Sequence, residues 1–428
     1  MDNYLTTSGR PINDGRVVKD VAVIGAGIAG LSAAYLISRR HRVHLFEREP
    51  RLGGHTHTVT IETPGGPLPL DTGFLVHNDR TYPNLVRLFG ELGVATRDSD
   101  MSFGVSCQAT GLEYSSRGAK GFFAQRRNLW NPAHLRLLSD IMRFNREAPA
   151  VLRGERTEWI TLGAWLDGYR FGDEFIHRYL LPMASAIWSA SRDAIRRFPA
   201  LTMIRFLDNH GLLGITGQPT WKVVAGGSAT YIPKLTASLG DRVHTGVTID
   251  RVCRDEDQVT LTFTDRPARS FDEVVFACHG DQVLPMLAAP TPQEQAVFSR
   301  FHTTTNSVWL HTDASLLPAS VDARASWNYR LSARAGDPPC VTYDLNRLQR
   351  LAAPEQYCVT LNPQDGIDPS RVLRTMTYRH PLYDAGAIAA QQQWPEVSGR
   401  HRTHYCGAYW GYGFHEDGLV SAMRVARA

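Results

Sequence analysis

Val21-Ala22-Val23-Ile24-Gly25-Ala26-Gly27-Ile28-Ala29-Gly30, running through a helix-favouring stretch to Arg40 and then into Val43-His44-Leu45-Phe46-Glu47, decides the fold. Val21–Ile24 is short, apolar and β-branched, as a buried strand is. Three glycines follow at once. Gly25 permits a tight turn, Gly27 lets a pyrophosphate reach the backbone, and Gly30 lets a helix pack on the strand. The helix start at Ile28 and Ala29 offers free N–H groups and a partial positive charge to phosphate. The second strand ends on Glu47, 17 positions after the third glycine. A carboxylate there accepts hydrogen bonds from ribose hydroxyls and repels a 2′-phosphate. The pattern predicts a dinucleotide-binding strand–turn–helix–strand unit. A glycine-rich turn without a ligand would leave Glu47 unexplained.

Immediately outward stands Arg48-Glu49-Pro50-Arg51-Leu52-Gly53-Gly54-His55. A second glycine pair so near the ribose acid fits another backbone approach to the diphosphate, and the arginines add charge. Nicotinamide-only proteins usually lack this piece, so the reading shifts to FAD. Residues 56–62 and 68–76 read as a β-ribbon around Pro64-Gly65-Gly66. It ends in Leu70-Asp71-Thr72-Gly73-Phe74. Thr72, Gly73 and Phe74 are flavin-side candidates. The competing reading is a plain turn in which Asp71 caps a backbone N–H. His55 and His57 have no acid or cysteine at metal spacing, so no metal site is expected.

The 428 residues allow two or three structural units with ample core. A hydrophobic share of 43% and a charged share of 21% are ordinary for a globular enzyme. A net charge of +4 is too mild to argue for nucleic acid. Lysine occurs only at 19, 120, 222 and 234. The six cysteines show no CxxC, which suits free thiols in a reducing compartment. Residues 1–16 do not read as a secretory signal, and no stretch reads as a transmembrane helix. The expected location is cytoplasmic.

From Tyr82 to about Gln218 the pattern turns helical. Helices are expected at Tyr82–Leu92, around Leu135–Asn145, and at Leu162–Tyr169, Phe175–Trp188 and Leu201–His210, with a β-like break at Ser102–Tyr114. Arg126, Arg127, Trp130, Arg136 and Arg143 surround one helix. They read as a solvated face, with a membrane-surface face as the alternative. Val243–Asp250 reads as strand and turn, Val259–Phe263 with Ser270–Phe271 as a hairpin, and Val274–Cys278 as a buried parallel strand. Residues 297–312 and 339–380 read as a second sheet. The C-terminal run Gly407-Ala408-Tyr409-Trp410-Gly411-Tyr412-Gly413-Phe414-His415-Glu416-Asp417-Gly418-Leu419 reads as a strand end followed by a helix starting near Asp417. A helix start facing a flavin suits the locus where negative charge develops on reduction. Gly407, Asp417, Gly418 and Leu419 are therefore cofactor candidates. His415, Tyr409 and Trp410 are catalytic candidates, with simple N-capping the alternative at 415–417.

These motifs resemble the FAD-containing amine oxidase and phytoene desaturase superfamily. Residues 21–30, 44–49, 51–54, the central Gly226-Gly227-Ser228, Val274–Ala277 and the terminal run carry the resemblance. Residues 51–59, 71–85 and 99–106 resemble more closely a bacterial group of NAD/FAD-binding proteins and the N-terminal region of plant cyclopropane fatty acid synthases. The resemblance implies an α/β fold: a discontinuous Rossmann-like FAD-binding domain (16–78, 222–290, 400–428) with a mixed α+β substrate domain (79–221, 291–399). It implies that Val247 holds the adenine. One departure stands out. Amine oxidases keep a lysine near flavin N5, from the substrate-domain sheet, and here no lysine follows Lys234; Thr305 or Asn306 takes that place. The expected function is noncovalent-FAD removal of a hydride from an apolar, fatty-acyl lipid substrate. The alternatives are a flavin amine oxidase, an NAD(P)H-dependent flavin reductase or isomerase, and a non-catalytic flavoprotein partner of a lipid methyltransferase. Peripheral membrane contact accompanies the lipid reading.

Overall fold

The computed structural model describes residues 18–153, 160–214, 217–332, 337–363 and 366–428. Residues 1–16, where no leader was read, lie outside them, as do residues 16 and 17 of the expected first FAD-binding segment.

Alternating burial decides how the apolar runs assemble. Strands Val243–His244, Arg42–Phe46, Asp20–Ile24, Glu273–Phe276 and Thr403–Tyr405 lie side by side in that order, all parallel. Val21, Val23, Val43, Leu45 and Val275 point to one face, against helices Ile28–Ile37 and His415–Val425. Ala22, Ile24, Phe46, Val274 and Phe276 point to the other, against the antiparallel strands Ile249–Arg254, Val259–Phe263 and Arg269–Phe271. Both faces are covered, which is why the strands read as continuous apolar runs. The expected strand Val243–Asp250 is divided. Only Val243–His244 joins the parallel sheet, the chain turns at Gly246 (φ +66°), and Ile249 opens the antiparallel layer.

The second sheet has seven strands, in the order Val372–Leu382, His302–His311, Cys358–Leu361, Cys340–Asp344, Trp327–Leu331, Phe103–Cys107, Leu112–Ser115. The break read at Ser102–Tyr114 supplies its last two strands. Of the residues 297–312 read as sheet, 297 and 298 instead end a helix, Pro292–Phe298: Thr291 accepts from the Glu294 N–H, Glu294 accepts from the Thr291 N–H, and Pro292 opens the helix. Phe175–Trp188 is helical but passes through a π turn at Ile176–Leu180. Pro182 has no N–H to give the Arg178 carbonyl. The Tyr114 hydroxyl donates to that carbonyl instead.

Candidate functional site

The parallel strands all end on the same side, and the candidate site is built from the turns that follow them. Gly25 takes φ +100° and lies so close to Ala277 that a Cβ would stand 3.0 Å from its carbonyl oxygen. At Gly30 a Cβ would sit 1.8 Å from the Gly25 carbonyl oxygen, so helix and turn touch there. Gly27 is the opposite case: a Cβ added there meets nothing within 4 Å. Its side faces open space, and no side chain caps the helix that starts at Ile28. The Gly53–Gly54 loop closes on this turn. Gly53 donates to the Ala26 carbonyl at 2.8 Å, and Arg51 reaches the Gly54 carbonyl at 2.8 Å. Arg48 is exposed, 3.8 Å from Glu49.

Glu47 ties this corner together. One carboxylate oxygen accepts from the Ala26 N–H at 2.7 Å and the other from the Glu49 N–H at 2.9 Å. Val247 stands beside it, but its N–H donates to the Glu47 carbonyl at 2.9 Å. Val247 can therefore offer an adenine its carbonyl and side chain, not its N–H. Glu47→Ala should weaken FAD binding. Losing charged-acceptor hydrogen bonds costs about 1.5–3 kcal/mol, roughly ten- to hundredfold in affinity. The purified variant should be largely colourless and regain colour with excess FAD. Wild-type flavin content and affinity would remove Glu47 from the site.

At the Asp-Thr-Gly corner Asp71 caps a backbone N–H, as the plain-turn reading has it. Asp71 accepts from the Ser228 N–H (2.9 Å), the Ser228 hydroxyl (2.8 Å) and the Thr58 hydroxyl (2.6 Å), so it pins the Gly226–Ser228 turn. Burial raises its carboxyl to about 6 against the pull of those hydrogen bonds. Thr72 and Gly73 lie against the Gly54–His57 loop: Thr72 donates to the His57 carbonyl at 3.0 Å, and Phe74 to that of His55 at 2.7 Å.

Beyond this corner three imidazoles cluster. His55 has ring centroids 5.0 Å from His380, 5.1 Å from Tyr378 and 6.2 Å from His279. His55 Nε2 is buried and has no partner among the described residues. Burial, then the neighbouring imidazoles, lower His55 well below its ordinary value. Burial likewise lowers His279 and brings His380 to about 4, so all three are neutral at pH 7. Asn306 is the inward member of the Thr305–Asn306 pair: Thr305 is exposed, while Asn306 is 1% exposed. Its Nδ2 donates to His380 Nδ1 at 2.9 Å, and its Oδ1 accepts from Asn362 at 2.7 Å. His380 Nδ1 is thus an acceptor, and its proton sits on Nε2. Among the described residues no group of three or more His, Cys, Asp or Glu is placed to hold a metal ion.

The C-terminal run brings Gly418 against Ile28, where a Cβ would stand 2.8 Å from Cγ2, so the two helix starts adjoin. The helix begins at His415, two residues earlier than read. Asp417 accepts from the Phe414 N–H at 2.9 Å, and burial raises it to about 6. Glu416 accepts from the N–H groups of Asn84 (3.0 Å) and Leu85 (2.9 Å), capping a different helix, Pro83–Leu92. His415 is buried, bonds Thr56 Oγ1 at 2.9 Å and stacks on Phe74 at 3.7 Å. Burial brings it to about 3, so it is a neutral positioning group for Phe74. Gly407 donates to Ser421 Oγ at 2.8 Å, which fixes the strand end to the helix, and Leu419 is buried in the same core. The expected catalytic aromatics, Tyr409 and Trp410, follow the strand end. Both are buried in the core against Phe301, at 4.7 and 5.1 Å, while Tyr412 packs toward Phe206.

Two cavities flank this run. One of about 290 Å³ lies between Arg205, Gln391, Trp410 and Arg424; one of about 550 Å³ lies between Arg80, Tyr82, His210 and Phe414. His279, Tyr378, Thr56 and Tyr231 were not singled out as site residues. Lone histidines have no spacing to reveal them, although His279 directly follows a buried parallel strand. The residues present fit FAD: open space over Gly27, an uncapped helix start, an acid at the ribose corner and an orphaned imidazole nitrogen deeper in.

A family model described as flavin containing amine oxidoreductase matches residues 28–428. A Mycobacterium tuberculosis protein, AofH, whose name places it among flavin-containing monoamine oxidases, is 26% identical over 285 residues, covering 64% of this chain and 60% of that protein. The chain spans 60% or less of the lengths of the curated relatives it matches. Cyclohexylamine oxidase from Brevibacterium oxydans superposes with a TM-score of 0.69 at 16% identity, over 96% of this chain and 98% of that one. A fatty acid isomerase from P. acnes gives 0.67 at 16% identity, over 95% and 98%. At such identities these likenesses show a shared fold. With the family match over nearly the whole chain, the protein belongs to the flavin containing amine oxidoreductases.

Proposed function

We propose that this chain removes a hydride from an apolar, fatty-acyl lipid substrate rather than from an amine. The observation that carries the reading is Asn306. It is inward, locked between His380 and Asn362, and stands where the resemblance places an amine oxidase's lysine. The imidazoles around it are neutral. The nearby Asp281 carboxylate is already paired with Arg379, so among the described residues this corner offers no unpaired carboxylate to recognise an ammonium ion. A neutral C–H substrate loses little solvation on entering it. The bound flavin supplies the hydride-accepting ring. The chain's share is to hold the reacting carbon, exclude water and present the His380 Nε2 proton. The similarity of residues 51–59 and 71–85 to the region preceding a lipid-modifying domain supports the same substrate class, and one structural neighbour is named as a fatty acid isomerase. Amine oxidation is the second reading, favoured by the name of the relative that covers 64% of the chain.

Anaerobic mixing separates the two. Detergent-dispersed unsaturated and methyl-branched acyl lipids should bleach the flavin, and simple primary amines and polyamines should not. Rapid bleaching by a simple amine would overturn the proposal.

The flavin should be noncovalent. Cys406 and Cys358 are buried and their thiols are pushed up by burial, so neither offers a thiolate. His380 Nδ1 is held by Asn306. Acid precipitation should leave yellow FAD in the supernatant; colour in the pellet would contradict this.

A further inference from the structure

Large apolar side chains exposed on a protein surface are normally scattered. Here they are not. Of the nine among the described residues, six lie between positions 129 and 169: Leu129, Trp130, Leu135, Met142, Ile160 and Tyr169. Trp130 is 87% exposed.

This exposure is built in. Arg126–Trp130 is a single helical turn. Asn131 then caps helix Pro132–Val151, accepting from the Ala133 N–H at 3.1 Å. The helix sends Leu137, Ile141, Phe144 and Ala148 into the core at helical spacing. Its other face carries Leu135, Arg136, Met142 and Arg146, all exposed. His134 hydrogen-bonds the Phe122 carbonyl at 2.9 Å and holds the start of the helix down. Arg143 reaches across to the carbonyl of Arg170 at 3.1 Å and lies 4.1 Å from the Phe171 ring, which fixes the Tyr169–Arg170 turn beside Met142. Trp130 is therefore not the tip of a frayed segment.

The charge on this face is one-sided. Residues 126–147 contain five arginines and two acids, Asp140 and Glu147. Asp140 is already taken by Arg143 at 3.2 Å and the Gly172 N–H at 3.0 Å, and Glu147 lies 3.5 Å from Arg146. Arg126, Arg127, Arg136 and Arg146 are exposed around the apolar residues. Trp, Leu and Met interleaved with arginine on one helical face match an acyl boundary beneath anionic headgroups. A protein partner would be expected to meet a face with fewer charges at its centre.

We propose that this face, Leu129–Trp130 with the outer side of Pro132–Val151 and the Tyr169 turn, docks on an anionic lipid bilayer. The docking surface stands whether the substrate is a lipid or an amine.

The test is flotation of the purified holoprotein with vesicles of phosphatidylglycerol and phosphatidylcholine, or of phosphatidylcholine alone. Binding is expected to the anionic vesicles and to weaken in high salt. At roughly fivefold per basic residue near the surface, Arg126→Glu with Arg136→Glu should lower partitioning about 25-fold or more. Leu129→Ser with Trp130→Ser should abolish most of it. Flavin content and melting temperature should stay at wild-type values, since these side chains are exposed. Absence of binding to anionic vesicles, equal binding to both vesicle types, or wild-type binding by both double variants would overturn the proposal. So would a dimer in light scattering that Trp130→Ser dissociates, because a second copy would then cover the face.

Discussion

Gly27→Glu is expected to give a folded protein that carries no flavin. The expectation rests on the asymmetry between Gly27 and its neighbours. A Cβ at Gly30 would strike the Gly25 carbonyl, whereas one at Gly27 meets nothing within 4 Å. The space it enters is the space a pyrophosphate needs above the helix start. A glutamate there sets an unpaired negative charge against the diphosphate. A misplaced charge of that kind costs about 3–5 kcal/mol, on the order of 10²–10⁴ in affinity. The melting temperature of the variant should match that of wild-type apoprotein and fall below that of the holoprotein, since a ligand bound only by the folded state stabilises it. Gly27→Ala should lie between the two in flavin content. A yellow Gly27→Glu protein would show that the diphosphate lies elsewhere.

The second large effect lies in stability. Arg254 and Glu294 form a buried two-pronged pair at 2.5 and 2.9 Å, with side-chain exposures of 7% and 3%. The Tyr405 hydroxyl donates to the same carboxylate at 2.5 Å, and the Thr291 N–H at 2.8 Å. The cluster joins strand Ile249–Arg254, helix Pro292–Phe298 and strand Thr403–Tyr405, so it locks three distant parts of the chain behind the nucleotide sheet. Arg254→Met leaves a carboxylate buried without its cation, which costs about 3–5 kcal/mol. Thermal unfolding should shift down by several degrees. Burial pushes the Glu294 carboxyl up, but the hydrogen bonds from Arg254 and Tyr405 outweigh it and hold it below its ordinary value. A depressed carboxyl stabilises above its unfolded value and loses that contribution as pH falls through the folded one. The wild type should therefore lose stability on acidification below about 4.3, the ordinary glutamate value. The variant should lose less there. Equal acid sensitivity of the two proteins would contradict this account of the cluster.

Local chemistry was legible in the sequence. The turn at Gly25–Gly30, the acid at Glu47 and the ribbon at 58–71 need only neighbours in the chain to specify them, and the structure puts them together. Pairings between distant segments were not. Phe103–Cys107 runs parallel to Trp327–Leu331, more than two hundred positions away, and no local period announces that choice. The grouping of three histidines was hidden for the same reason. His55, His279 and His380 come from three separated segments and carry no common spacing. Glu416 was read as part of its own helix start, yet it caps Pro83–Leu92, because a carboxylate meets whichever orphan N–H groups folding brings to it. The surroundings of Tyr409 and Trp410 were equally hidden: they pack against Phe301 and Phe298, more than a hundred positions away.

The central claim is that this flavoprotein oxidises an apolar acyl chain. Its most direct test expresses wild type and Gly27→Glu alongside membranes of several lipid compositions, methyl-branched ones included, and compares fatty-acid profiles by mass spectrometry. Wild type should produce acyl species two hydrogens lighter that are missing with the flavin-free variant. Identical profiles in every background would contradict the lipid reading.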